Sequence, residues 1–146
     1  MLNKNLFSSN KQDWETPEIL FQKLNEEFNF DLDVCATSEN TKCELFYSPE
    51  QDSFSMPWNV KDPVTTFAWM NPPYGKEIKD WIAKADAETI NNVVTVALLP
   101  SRTDIKWFHD YIYKKHEIRF IKGRLKFVGG EGPAPFPSMF VIFKEK

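Results

Sequence analysis

The chain has 146 residues and a mass of 17.1 kDa, which suits one compact domain. Hydrophobic residues at 42% and charged residues at 27% exclude a disordered chain, and no apolar run approaches the roughly 18 residues of a membrane span. The net charge of −3 argues weakly against a nucleic-acid binder. Its distribution argues the other way, because the segment from Lys114 to Lys126 carries +5 and the remainder −8. A basic face binding phosphate and an ordinary solvated helix end are both compatible with that segment.

Residues 1–13 are polar, lack an apolar stretch of signal-peptide length, and are expected to form a flexible N-terminal segment, so the cytoplasm is the default compartment. Thr16-Pro17 reads as a helix start, with Thr16 as N-cap and Pro17 at the first helical position. Leu20, Phe21, Leu24 and Phe28 then follow at helical spacing, predicting a helix over 17–28. Phe30-Asp31-Leu32-Asp33-Val34 alternates strictly, predicting a strand with its two aspartates on one face. Residues 36–64 have no clear period and form a candidate ligand loop, with a short strand near Leu45-Phe46-Tyr47.

Thr66 to Met70 is a short apolar strand running into Asn71-Pro72-Pro73-Tyr74-Gly75. A helix follows, with Ile78, Trp81, Ile82, Ala85 and Thr89 on one face. Val93 to Leu99 reads as a strand buried on both faces. Thr103 begins another helix with Trp107, Phe108, Tyr111 and Ile112 as its core face. Glu117 to Ile121 is a strand, and Leu125–Val128 and Met139–Phe143 are expected to pair as a terminal hairpin. Strands alternating with helices imply an α/β domain with a mostly parallel sheet, and ligands bind such sheets at the carboxyl ends of the strands. That edge would collect Asp33 to Cys35, Asn71 to Gly75 and Pro100 to Thr103.

Asn71-Pro72-Pro73-Tyr74 stands at this edge. The prolines remove amide donors and stiffen the loop, leaving the Asn71 side-chain oxygen and the Pro72 carbonyl as acceptors beside an aromatic plane. Such a loop suits a planar ligand bearing an amino group. A proline-rich connection with an aromatic cap is the plain structural alternative. No glycine precedes Gly75, so neither a P-loop nor a GxGxxG fingerprint is present.

The tetrapeptide resembles the D/N/S-PP-Y/F signature of amino-methyltransferases that use S-adenosylmethionine. Trp14-Glu15-Thr16-Pro17, Phe30 to Ala36, Trp69 to Gly75, Leu98 to Asp104 with Trp107, and Ile118 to Phe127 occur in that order. Together they resemble the phage and prophage DNA N6-adenine methyltransferase family, the phage Dam type, over residues 13–143. The resemblance implies a Rossmann-like α/β methyltransferase fold with a C-terminal antiparallel hairpin. It implies methyl transfer from S-adenosylmethionine to the exocyclic amine of a flipped adenine in DNA, without metal.

On the matching positions, Asn71 and the Pro72 carbonyl would accept from the amine, Pro73 would stiffen the loop, and Tyr74 would stack on the base. Trp14, Thr16 and Pro17 would lie near the cofactor's methionine moiety. Asp33, with Asp31 as its backup, would accept from the ammonium or the ribose hydroxyls. Arg119, Lys122, Arg124 and Lys126 would touch the DNA backbone and Phe127 would wall the base pocket. The pattern departs from the family where glycines usually follow the first acidic motif: Cys35-Ala36-Thr37 stands there instead. Residues 14–146 would be one catalytic domain without a separate target-recognition domain, acting as monomer or homodimer in the cytoplasm of a bacterial host.

Other constellations are weaker. Cys35 and Cys43 read as free thiols, and with His109 and His116 they give no zinc spacing. Ser101, His109 and Asp104 lack a nucleophile elbow. Trp81 and Trp107 read as core. The acceptor loop alone would equally suit cytosine N4, RNA or a protein glutamine amide. A catalytically inactive DNA-binding module of the same fold is the alternative from another class.

Overall fold

The computed structural model describes residues 14–146; the expected flexible segment over residues 1–13 lies outside the described residues. The elements that carry the fold are α1 (Glu18–Phe28), β1 (Leu32–Asp33), β2 (Thr66–Met70), α2 (Ile78–Glu88), β3 (Val93–Pro100), β4 (Glu117–Phe120) and β5 (Ser138–Phe143). Short 3-10 turns occupy Pro49–Gln51, Ser53–Ser55 and Thr89–Asn91, and a π-helical turn spans Phe108–Ile112.

The strands form one open sheet in the order β1-β2-β3-β5-β4. β1–β2 and β2–β3 pair in parallel, whereas β3–β5 and β5–β4 pair antiparallel. The expected mostly parallel sheet is therefore corrected to a mixed one. Burial accounts for the change. Every residue of β5 is buried, so β5 inserts between β3 and β4, while half-exposed β4 takes the edge. No crossover helix separates β4 from β5, and a simple return makes them antiparallel.

The terminal hairpin also differs from expectation, because β5 pairs with β4 and β3. Leu125 to Val128 makes only an isolated bridge between Val128 and Glu15. Left-handed glycines, Gly123 at φ 78 and Gly129 at φ 80, flank that segment. Within it Leu125 and Phe127 pack on the core while Lys126 between them faces out.

The period-2 alternation of the strands divides the core between two faces. Ala68, Met70, Ala97, Leu99, Met139, Val141 and Phe143 meet Ile78, Trp81, Ile82 and Ala85 of α2. Trp69, Val96, Leu98, Phe140 and Ile142 meet Phe21 and Leu24 of α1. Phe30 breaks the alternation expected of it. It packs with the α1 face, stacked on Phe21 and Phe28, because β1 proper starts after it and Asn29 has turned the chain at φ 55.

Helix α1 begins one residue later than its sequence suggests. Pro17 is the N-cap, and Thr16 makes no capping bond. The predicted helix from Thr103 starts only at Lys106 and runs at once into the π-helical turn, which buries Phe108 and Ile112. Near Phe46, the expected short strand is a single parallel bridge to Asp33.

Ile82 is fully buried between α2 and the sheet. Ile82→Ala should lower stability by about 2–5 kcal/mol, read as a fall in the urea midpoint at unchanged slope.

Candidate active site

The parallel strands β1 and β2 deliver their carboxyl ends to one edge, where a cavity of about 530 Å³ opens. That volume lies within the roughly 300–1,000 Å³ of cofactor pockets. Trp14, Thr16, Asp33, Asn71 and Pro73 line it, so the structure brings together five of the expected site residues from three separate stretches of sequence.

Asn71 follows β2 directly, and Pro72 keeps it out of a helical conformation. Its amide nitrogen donates to the Trp14 carbonyl and to Thr16 Oγ1, the latter at 3.0 Å. A carbonyl can only accept, so these bonds fix the orientation of the amide. Asn71 Oδ1 is left buried without a hydrogen-bond partner among the described residues. An unsatisfied buried acceptor costs on the order of 1–3 kcal/mol and calls for a donor supplied from outside. Thr16 thus leaves the helix cap and orients the amide instead.

Tyr74 is placed differently from the stacking platform expected of it. It is buried, its hydroxyl donates to the Leu98 carbonyl at 2.9 Å, and burial pushes its phenol pKa up. Phe136 meets its ring at 5.5 Å, edge on. Trp14 in turn packs edge on against Phe127 at 5.3 Å and Phe136 at 5.1 Å. Four rings from four parts of the chain therefore form an aromatic wall behind the Asn71 loop. Phe127, expected from the resemblance at the base pocket, packs among these rings; Phe136, within a proline-rich turn, carries no signal in the sequence as a member of the wall.

Asp33 is 2% exposed and lines the cavity. Its Oδ1 accepts from the Cys35 amide at 3.2 Å and its Oδ2 from the Lys42 amide at 3.0 Å, which folds the 35–42 loop back over the strand end. Glycines are not needed for that turn because the carboxylate organises it. Burial pushes the Asp33 pKa up to about 7, against the two amide bonds and the Lys42 charge, which favour the ionised form.

Asp31 is set apart from the cavity. It accepts from the Phe67 amide at 2.9 Å and pairs with Lys61 at 3.0 Å, so it ties β1 to β2. Pro17 and Pro72 do not line the cavity. The cavity also takes in Lys42, Asp52, Phe54 and Trp81. Three of these come from the aperiodic 36–64 stretch, whose lack of period was the one available signal. Trp81 combines a core position with a cavity face, and its Nε1 is buried without a partner among the described residues.

The basic block is not uniform. Arg119 holds both oxygens of Glu27 at 2.7 and 2.8 Å and Glu117 at 2.6 Å, so its charge is internally matched. Lys122, Arg124 and Lys126 are exposed and make no ion pair among the described residues. No described helix is long and apolar enough to cross a membrane, and no described group of three or more His, Cys, Asp or Glu could hold a metal.

At the carboxyl edge of the mixed sheet, the Asn-Pro-Pro-Tyr loop thus presents a buried, unpaired acceptor beside a cavity of cofactor size. Comparison with known proteins gives the family. The family model of DNA N-6-adenine-methyltransferase (Dam) matches residues 3–145, and the chain belongs to that family. It is 31% identical to a DNA N-6-adenine-methyltransferase of Haemophilus phage HP1 over all of this chain and 86% of the relative. It is 30% identical to a DNA N-6-adenine-methyltransferase of Escherichia phage T1 over 81% of this chain and 54% of the relative.

The raised Asp33 pKa carries a sign. The folded state binds a proton more readily than the unfolded state, so this group's contribution is full below about pH 4 and is lost as pH rises through about 7. Asp33→Asn should remove that component. The difference between wild-type and variant urea midpoints should change between pH 4 and 7.5 and level off above.

Proposed function

We propose that the protein transfers a methyl group from S-adenosylmethionine to the exocyclic amine of adenine in DNA, with Asn71 as the acceptor that positions the amine. The observation that carries this reading is the Asn71 amide, held by Trp14 and Thr16 with its oxygen buried and unpaired. An exocyclic amine is a poor nucleophile because its lone pair is delocalised into the ring. Acceptance of its N–H groups by Asn71 Oδ1 and the Pro72 carbonyl favours a more tetrahedral nitrogen and fixes its direction.

The cavity residues fit the cofactor's chemistry. Glu15, Asp33, Asp52 and Glu77 are acidic, and Lys42 is the one basic residue among the described lining. That balance suits a ligand with two cationic centres and one anionic group. Asp33 would face the ammonium, and Phe54 and Trp81 offer rings for a purine. When bound, S-adenosylmethionine supplies an electrophilic methyl on a sulfonium, so no covalent enzyme intermediate is required.

On the substrate side, Trp14, Phe127 and Phe136 would wall the flipped base with Tyr74 as their buried support, and Lys122, Arg124 and Lys126 would meet phosphates. Arg119 would instead hold β4 against α1 through Glu27. Residues 14–146 would act as one catalytic domain with no separate target-recognition domain among them. The relatives' phage origin supports a place of action in the bacterial cytoplasm, where DNA is met, with evasion of host restriction as the role.

The test is labelled S-adenosylmethionine with adenine-containing DNA, followed by nucleoside analysis. N6-methyladenine should be the labelled product. Asn71→Ala should lower turnover at least about a hundredfold while cofactor affinity stays within a few-fold. Wild-type turnover in that variant, or label in no nucleoside from folded protein, would overturn the reading.

A second expectation concerns salt. Replacing Lys122, Arg124 and Lys126 together by Ala should reduce the slope of log affinity for duplex DNA against log salt by about 0.9 for each phosphate no longer neutralised, whereas Arg119→Ala should leave it nearly unchanged.

A further inference from the structure

Lys42 is an unusual cation. Its side chain is 10% exposed, and its ammonium bonds one oxygen of Glu18 at 3.0 Å. An ammonium has three donors, and this one has a single partner among the described residues. Glu18 is itself 60% exposed at the first turn of α1, and Gln22 holds its other oxygen at 2.6 Å. The backbone amide of Lys42 sits on Asp33 Oδ2, and both residues line the cavity. An acid next to a base, in that setting, is the charge complement of an α-amino acid zwitterion.

We infer that Lys42 is the residue that selects for the carboxylate of the cofactor's amino-acid end, with Glu18 as its placeholder when no ligand is bound. The inference rests on the proposed use of S-adenosylmethionine, and it fixes how that ligand lies in the cavity. The carboxylate meets Lys42 and the ammonium meets Asp33. The nucleoside end lies toward Asp52, Phe54 and Trp81. Burial is what makes the selection effective, since a charge-assisted bond is strong where water is scarce. The exchange is balanced: one carboxylate, from the ligand, replaces another, from Glu18, on the same ammonium. No bond to hydrogen is broken.

The experiment compares two ligands on the full chain by calorimetry: S-adenosylmethionine and its decarboxylated analogue, which differ by the carboxylate alone. Wild type should prefer S-adenosylmethionine by about tenfold to a hundredfold, the range expected of one charge-assisted contact. In Lys42→Met the preference should vanish or invert. Glu18→Gln should raise affinity for S-adenosylmethionine a few-fold without a matching gain for the analogue. This second variant keeps the test sharp if Lys42→Met does not fold. Retention of the preference in folded Lys42→Met overturns the assignment. So does a wild type that binds both ligands equally, or a Glu18→Gln variant that treats both alike. A wild type that binds neither ligand removes the cofactor reading itself, and this assignment with it.

Discussion

The Asn71 side chain is the joint on which the site depends. Its amide nitrogen spans to the Trp14 carbonyl and the Thr16 hydroxyl, more than fifty residues earlier in the chain. Both partners are needed for the result. The carbonyl forbids the flipped amide, and the hydroxyl completes the nitrogen's second bond. The oxygen then has no choice but to face inward as an unpaired acceptor. The same contacts hold the segment before α1 over the end of β2, and the Glu15–Val128 bridge extends that cover to the loop before β5. The unpaired acceptor is thus held through the amide's bonds to the segment before α1, with a packed aromatic wall behind it.

Asp33 does for the cavity what Asn71 does for the amine. Its two oxygens gather the Cys35 and Lys42 amides, so the turn after β1 is shaped by a side chain instead of by glycines. The burial that makes this possible also raises the carboxyl pKa to about 7. The protein carries this cost at a cavity-lining position, and perturbed groups of that kind cluster at functional sites. A cationic ligand placed beside Asp33 would relieve it, and its binding would then be linked to the ionisation of this group.

The basic block shows why charge counting alone misleads. Arg119, the most conspicuous cation in a positive segment, is locked in a fork with Glu27 and a further bond to Glu117. Glu117 lies two positions away on the same strand, but the Glu27 that closes the fork lies on α1, 92 positions earlier, and no local window of sequence reveals that pairing. Lys122, Arg124 and Lys126 differ only in what the fold places near them.

The sequence by itself determined the local pieces. The 3.6-residue and 2-residue periods gave α1, α2, β2, β3 and β5 nearly at their bounds, because each element buries one face or both and must spell that burial in its residues. The Asn-Pro-Pro-Tyr loop was legible because proline chemistry is local, and its resemblance to a family pointed to the reaction. Tertiary structure decided what depends on distant partners. It made the sheet mixed, because the wholly buried β5 had to lie inside β4. It took Thr16 from a helix cap to the Asn71 amide, sent Asp31 to Lys61 and Asp33 to the cavity, and turned Tyr74 into a buried support beneath Phe136. It also brought Lys42, Asp52 and Phe54 out of an aperiodic stretch to the cavity wall. Loop residues of that kind obey no period. Their positions follow from hydrogen bonds to groups far away in the chain, and those bonds exist only once the sheet has formed.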